Sequence, residues 1–216
     1  MSTCLAAVLV ALALLTGGVA AAEPGGWTHF GNDAGGSQYS PLKQIDAANV
    51  GDLEIAWTHE SGDVKPNPGG TSFQVVPIVA EGTLYYCTPF NRVFALDPAT
   101  GDERWVFDPH APDPDTGAPL IEGERLTGTC RGVTFWRDAE AEADAPCAAR
   151  IFKGDRGGNL WAIDARTGKA CPDFGAEAGY IGRVSNLDFE PHGEGFLAMG
   201  SPPALVGDKV LGAVAS

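Results

Sequence analysis

The sequence predicts an all-β protein of the β-propeller class, on three observations. First, Val93-Phe94-Ala95-Leu96-Asp97-Pro98-Ala99-Thr100-Gly101 returns 67 residues later as Leu160-Trp161-Ala162-Ile163-Asp164-Ala165-Arg166-Thr167-Gly168. Ala95, Asp97, Thr100 and Gly101 are reproduced as Ala162, Asp164, Thr167 and Gly168. Second, short apolar and aromatic runs dominate, and the periodicity of a long amphipathic helix is absent. Third, 29 Gly and 16 Pro are spread along the 216 residues as punctuation. An apolar run broken by Asp-x-x-Thr-Gly is a strand entering a tight turn: the short carboxylate bonds the turn backbone and Gly supplies the positive φ. Such units at blade-like intervals mark a radial array whose chemistry sits on the central axis.

Residues 1–22 read as a secretory signal peptide. Leu5 to Leu15 is a nearly unbroken Ala/Leu/Val run, followed by Thr16-Gly17-Gly18 and by Ala20-Ala21-Ala22 before Glu23. The run falls short of the roughly 20 apolar residues of a membrane span. No Lys or Arg precedes it, and an uncleaved N-terminal anchor is the alternative. The expectation is an exported chain, periplasmic or secreted, attached to a membrane at most peripherally.

Residues 23–216 then hold the repeats. Gln44 to Leu53 suits one short helical turn. The first cycle offers strands at Leu53 to Thr58, Val75 to Val79, Thr83 to Cys87, Val93 to Leu96 and Arg104 to Phe107. The second offers Gly132 to Trp136, Arg150 to Lys153 and Leu160 to Ile163. A third begins at Pro203 to Val206, passes a Gly207-Asp208 turn and reaches Lys209 to Leu211. The connections from Asp108 to Leu126 and from Asp138 to Ala149 are rich in Pro, Ala and Asp, and long ordered loops are often functional. At four strands per blade the chain supplies about three blades. An unclosed ring leaves sheet edges unpaired, so the expectation is an N-terminal portion of a longer protein.

The formal net charge is −14 with no basic cluster, which argues against a nucleic-acid partner. Cys87, Cys130, Cys147 and Cys171 permit two disulfides in an oxidising compartment, with three pairings open. No Cys-x-x-Cys occurs, and His29, His59, His110 and His192 lack ligand spacing, which argues against zinc. Trp57, Trp105 and Trp161 read as packing residues, as large aromatics dominate core burial. Trp136 is also assigned to the core. Pro172 stands at the second-cycle equivalent of Trp105.

Several motifs in order resemble a known family. Trp27-Thr28-His29-Phe30-Gly31, Gln38-Tyr39-Ser40-Pro41-Leu42, Ile45, Asn49-Val50 and Leu53 resemble the N-terminal signature of pyrroloquinoline-quinone (PQQ) dependent dehydrogenases. Ala95-x-Asp97-x-x-Thr100-Gly101-x-x-x-Trp105 resembles that family's tryptophan-docking motif, in which an indole packs on the motif glycine of the next blade. Cys130-Arg131-Gly132-Val133-Thr134-Phe135-Trp136, with Cys147 and Cys171, is most similar to the glucose-dehydrogenase branch. The resemblance covers about residues 26 to 216. It implies an eight-bladed propeller in the full-length parent, holding PQQ and a calcium ion on its axis. It also implies an Asp that takes a proton from a sugar, polyol or alcohol hydroxyl, and a quinone or cytochrome that receives the electrons.

Carried over residue by residue, the resemblance nominates four positions for PQQ. Arg131 matches the arginine that contacts the cofactor's oxygens, and a guanidinium fork suits such acceptors. Gln74 stands where many relatives have a Glu; its neutral amide retains hydrogen bonding without the charge. Gly212 and Ala213, followed by Val214, match a small-residue segment that lies close to the cofactor plane. Gly200 falls near a family Thr, and Thr127 where glucose-type relatives place a His. The vicinal cysteine pair of the methanol and ethanol branches is absent, since Thr129 precedes Cys130. By this resemblance the catalytic Asp and the calcium ligands lie beyond Ser216. No residue here is therefore nominated for catalysis or metal binding, and the chain alone is expected to be inactive. The alternative is a non-catalytic propeller of the same type acting as a scaffold or binding module, which would need only the docking repeats.

Overall fold

The structure, a computed structural model, describes residues 26–65, 70–185, 198–207 and 209–213. The expected signal segment at 1–22, Asp208 and Val214 lie outside these residues. The ten described strands are β1 (Ile78–Ala80), β2 (Thr83–Cys87), β3 (Val93–Leu96), β4 (Glu103–Phe107), β5 (Thr134–Arg137), β6 (Ala149–Gly154), β7 (Asn159–Asp164), β8 (Arg183–Ser185), β9 (Ala204–Val206) and β10 (Lys209–Leu211). They form two four-stranded antiparallel meanders, β1-β2-β3-β4 and β5-β6-β7-β8, and a β9-β10 hairpin that opens a third sheet. Helical structure among the described residues is limited to two 3-10 turns, Val50–Asp52 and Ala176–Ala178. The first falls inside the helical turn expected before Leu53.

The sheets stack as layers, and side-chain alternation decides which layer each residue joins. In β2, Tyr85 and Cys87 face a cluster shared with Ile151, Trp161 and Ile163 of the second sheet. Tyr86 and Leu84 face the opposite way, onto Phe94, Leu96 and Trp57. The far side of the second sheet carries Phe152 and Ala162 against Leu205 and Val210 of the hairpin. Blades buried on both faces leave no polar side to alternate with, which is why β2, β3 and β7 read as continuous apolar runs.

Two indoles set the spacing between layers. Trp57 lies on Gly101 and Trp105 on Gly168; a Cβ at either glycine would meet the ring at 2.6 or 2.8 Å. Both glycines have positive φ, 79° and 74°. Each indole N–H donates to the carbonyl three residues before its glycine, Trp57 to Pro98 at 3.2 Å and Trp105 to Ala165 at 3.0 Å. The Asp of each repeat closes the turn: Asp97 accepts from Ala99 N–H at 2.9 Å and Asp164 from Arg166 N–H at 2.9 Å.

Two expectations are corrected, and a third feature is added. Leu53 to Thr58 is extended but is not a strand, because no described strand pairs with it. It is instead held along the first sheet by Trp57, by His59 Nε2 on Glu103 at 2.7 Å, and by Asp63, which forms a bidentate pair with Arg92. The leading strands start later than the apolar runs do, at Ile78 and Thr134, since Val76 and Arg131 use their backbone groups between blades. The second sheet's outer edge is also split. Ala170 bridges Ile163, and the chain loops out from Cys171 to Gly182 before β8 resumes. Pro172 therefore leaves this edge without a docking Trp.

One fully buried side chain in the second sheet is Lys153. Its ammonium donates to Asn91 Oδ1 of the first sheet at 3.1 Å and to Gly154 O at 2.9 Å. Burial pushes its pKa down to about 8, partly opposed by Asp155.

Two outcomes are expected from the packing. Gly168→Ala places a methyl group on the Trp105 ring in a left-handed backbone and lowers stability by about 2–4 kcal/mol in denaturant unfolding. Combined with Trp105→Ala it costs less than the sum, because the clash partner is gone. For Lys153, the folded pKa lies below the unfolded value, so the burial penalty is fully present below pH 8. Stability contributed here rises between about pH 8 and the ordinary value of 10.5, where only the unfolded chain still holds the proton. Lys153→Met should erase that rise, about 3 kcal/mol across the window, in parallel unfolding curves. A wild-type and variant difference that does not change with pH would overturn the assignment.

Candidate functional site

The site is built where the leading ends of the three sheets meet. Arg131 N–H donates to Gly200 O at 2.8 Å, and Val76 N–H donates to Arg131 O at 2.9 Å. Arg131 thus links the approach to β1 with the approach to β9. Thr134 Oγ1 donates to Pro203 O, adding a second tie between β5 and β9. The register carries other segments to the same end. Pairing Thr134 with Phe152 and Ala204 with Leu211 brings the ends of β6 and β10 beside these leading ends.

The N-terminal signature lies across this convergence. Trp27 pairs with Val79 through reciprocal backbone bonds of 3.0 and 2.8 Å, which pins the segment at Trp27 to the free edge of β1. The chain then turns at His29 to Asn32, and Phe30 reaches to 3.6 Å from where a Cβ on Gly132 would stand. Between this segment and the leading ends is a cleft of about 490 Å³, lined among others by His29, Asp33, Gln38, Arg131, Thr134 and Ser201. Hydrogen bonds from Ser37 hold the Asp33 carboxyl below the usual carboxylate range.

Arg131 is the nominated residue that lines the cleft, and its side chain is exposed. Arg92, Arg104, Arg125, Arg137 and Arg150 each pair with a carboxylate. Arg131 has no carboxylate partner among the described residues, which removes the reading of it as a structural salt bridge there. Its place depends on Gly200, where a Cβ would come within 2.9 Å of Thr129 O and 3.4 Å of Arg131 Nη1. A side chain in that position would press on the Thr129 carbonyl and stand in van der Waals contact with the guanidinium.

The other nominated positions lie beside the cleft rather than in its wall. Gln74 is two residues before Val76; it is exposed, and its amide donates to Ser72 Oγ at 3.0 Å. Gly212 follows β10, and a Cβ on it would be 2.6 Å from Met199 Sδ, next to Gly200. Ala213 is exposed one residue further. Sequence reasoning did not nominate His29, Asp33 or Gln38 as site residues. Their signal was the dense N-terminal motif itself, in a segment with no repeat partner.

The four cysteines are joined as Cys87–Cys130 and Cys147–Cys171, with Cα separations of 6.0 and 5.8 Å. Among the described residues, Cys147, Cys171 and Asp173 form the one cluster with metal-ligand proximity, and its sulfurs are spent in a disulfide. The cleft therefore offers a cation, small residues and amide donors. Arg131 would suit the oxygens of a flat anionic group such as PQQ, which carries carboxylates and a quinone, and Gly212 and Ala213 would border that group from beside the cleft.

Residues 27–215 match the family described as PQQ: glucose/ethanol/alcohol dehydrogenase, β-propeller domain. Quinoprotein glucose dehydrogenase of Escherichia coli is 39% identical over 193 residues, 86% of this chain and 22% of that protein. The glycerol dehydrogenase large subunit of Gluconobacter oxydans is 32% identical, over 87% of this chain and 24% of its own length. The crystal structure of quinohemoprotein alcohol dehydrogenase from Comamonas testosteroni superposes with a TM-score of 0.62 at 26% identity, covering 88% of this chain and 23% of that one. The chain thus spans about a quarter of the length of these relatives. With its paired sheets, its docked indoles and this match over nearly all described residues, the chain belongs to the β-propeller family of PQQ glucose, ethanol and alcohol dehydrogenases.

Proposed function

We propose that this chain is the part of an exported PQQ-dependent dehydrogenase that supplies one wall of the cofactor site. The observation that carries this reading is Arg131, an exposed guanidinium in the axial cleft with no carboxylate among the described residues, set in the Cys-Arg-Gly-Val motif. A scaffold would need the docking glycines and indoles but would have no use for an arginine there that makes no ion pair with a described carboxylate.

PQQ, when bound, supplies the two-electron acceptor for oxidation of a substrate hydroxyl. The chain's own residues bind and orient it. Arg131 offers a forked donor to its oxygens, Gln74 an uncharged amide, and Gly212 and Ala213 an unobstructed backbone. The substrate class is a sugar, polyol or alcohol, in keeping with relatives named as glucose, glycerol and alcohol dehydrogenases. Calcium ligands and the proton-accepting carboxylate are assigned beyond Ser216, and the electron acceptor is a quinone or a cytochrome. The segment 1–22 directs export, and no described helix is long and apolar enough to cross a membrane.

The protein carrying this chain, recovered from the periplasmic or medium fraction and loaded with PQQ and calcium, should reduce an artificial dye when given a sugar, polyol or alcohol. Failure to take up PQQ would favour the scaffold, and recovery in the cytosol would remove the export reading. Arg131→Ala should weaken PQQ binding by roughly 10- to 100-fold, the worth of a charge-assisted hydrogen bond. Arg131→Lys should recover part of that loss, since a point charge replaces the fork. Unchanged affinity in both variants, read by fluorescence titration, would take Arg131 out of the site.

A further inference from the structure

The two disulfides of this chain occupy different places, and the difference bears on Arg131. Cys87 ends β2 and is fully buried, while Cys130 is 4% exposed and immediately precedes Arg131 in sequence. Their bond therefore joins the residue beside the cleft arginine to the leading end of the first sheet. Cys147 and Cys171 lie at the opposite end of the second sheet, before β6 and at the start of the outer loop. They share a cluster with Phe152, Phe174, Leu205 and Val210; Leu205 also lines the cleft, but neither cysteine does and neither adjoins Arg131 in sequence.

Arg131 lies outside regular structure. The connection from Asp108 to Val133 contains no strand, so no sheet ladder fixes the arginine's backbone. Three tethers hold it: its N–H on Gly200 O, its carbonyl under Val76 N–H, and the covalent bond one residue back. The two hydrogen bonds reach in opposite directions, to the third sheet and to the first. Without the covalent tether, each would hold a segment free to swing about the other. The guanidinium has no carboxylate among the described residues to orient it, so its aim depends on its backbone.

We propose that Cys87–Cys130 is the positioning element for Arg131, fixing the guanidinium for an anionic cofactor in the axial cleft, whereas Cys147–Cys171 serves stability alone. The proposal rests on the cofactor reading above and deepens it. The second bridge is the natural control. The bridges close 43 and 24 residues, and the entropic benefit of a cross-link grows only logarithmically with that number. Their removal should thus cost comparable stability.

The test compares PQQ titrations of the protein carrying this chain as wild type, as Cys87→Ser/Cys130→Ser and as Cys147→Ser/Cys171→Ser. Each pair is also made in the Arg131→Ala background, and unfolding midpoints are measured alongside. Loss of the axial pair should weaken PQQ binding about tenfold with the KM for the alcohol or sugar unchanged. Loss of the outer pair should lower the unfolding midpoint without moving PQQ affinity. In the Arg131→Ala background, removing the axial pair should cost no further affinity, because the group it aims is gone. If the serine pair does not fold, Cys87→Val/Cys130→Ala keeps the site apolar and gives the same reading. Equal affinity losses from the two pairs, or additive losses with Arg131→Ala, would overturn the proposal. A wild-type protein that binds no PQQ would instead remove the functional reading on which it stands.

Discussion

The contact on which the rest of this structure depends is an indole laid on a glycine. Trp57 on Gly101 and Trp105 on Gly168 repeat the same geometry, down to the indole N–H bound to the carbonyl three residues before the glycine. Each combines an aromatic surface, a directed hydrogen bond and a backbone conformation that other residues adopt only with strain. The contact fixes both the distance and the rotation between neighbouring sheets. Everything on the axis inherits that angle, because the leading strands meet only when the outer strands are held apart by the correct wedge.

The polar interior serves the same end. Asp155, nearly buried, accepts from the Asn159 side chain and from Trp161 Nε1 at 2.7 Å, which locks the turn after β6. Lys153, at the end of β6, crosses to Asn91, and Asn91 in turn donates to Leu126 O at 2.7 Å, anchoring the long connection that leads to Arg131. A buried ammonium is costly, and burial pushes its pKa down for the same reason. It joins the hairpin turns of adjacent sheets at the end where the cleft lies.

The strands most legible in the sequence were those with both faces covered. β2 and β3 match the expected runs residue for residue, since burial on two sides favours apolar side chains throughout, the buried Thr83 at the start of β2 excepted. Leu53 to Thr58 also carries Leu, Ile, Ala and Trp, yet a strand is a pairing, and no described strand pairs with it. β8 went unread because the loop from Cys171 to Gly182 separates it from its own repeat, and Arg183-Val184-Ser185 is too short to announce itself. Arg131 stood out through its motif. Gln74, Gly212 and Ala213 were brought to the same end but beside the cleft, and Asp33 and Gln38 entered its wall from a segment that no repeat pattern could place.

The sequence by itself determined the class of fold and the spacing of its units, because a docking turn needs Asp, Thr and Gly at set positions whatever surrounds them. It also determined which cation to watch. Tertiary structure decided which cysteines pair and that Arg131 meets no carboxylate among the described residues. It also decided that the N-terminal segment closes one side of the cleft. These facts depend on distances between residues far apart in the chain, 24 and 43 positions for the two disulfides, which local chemistry does not encode and which the stacking of the blades supplies.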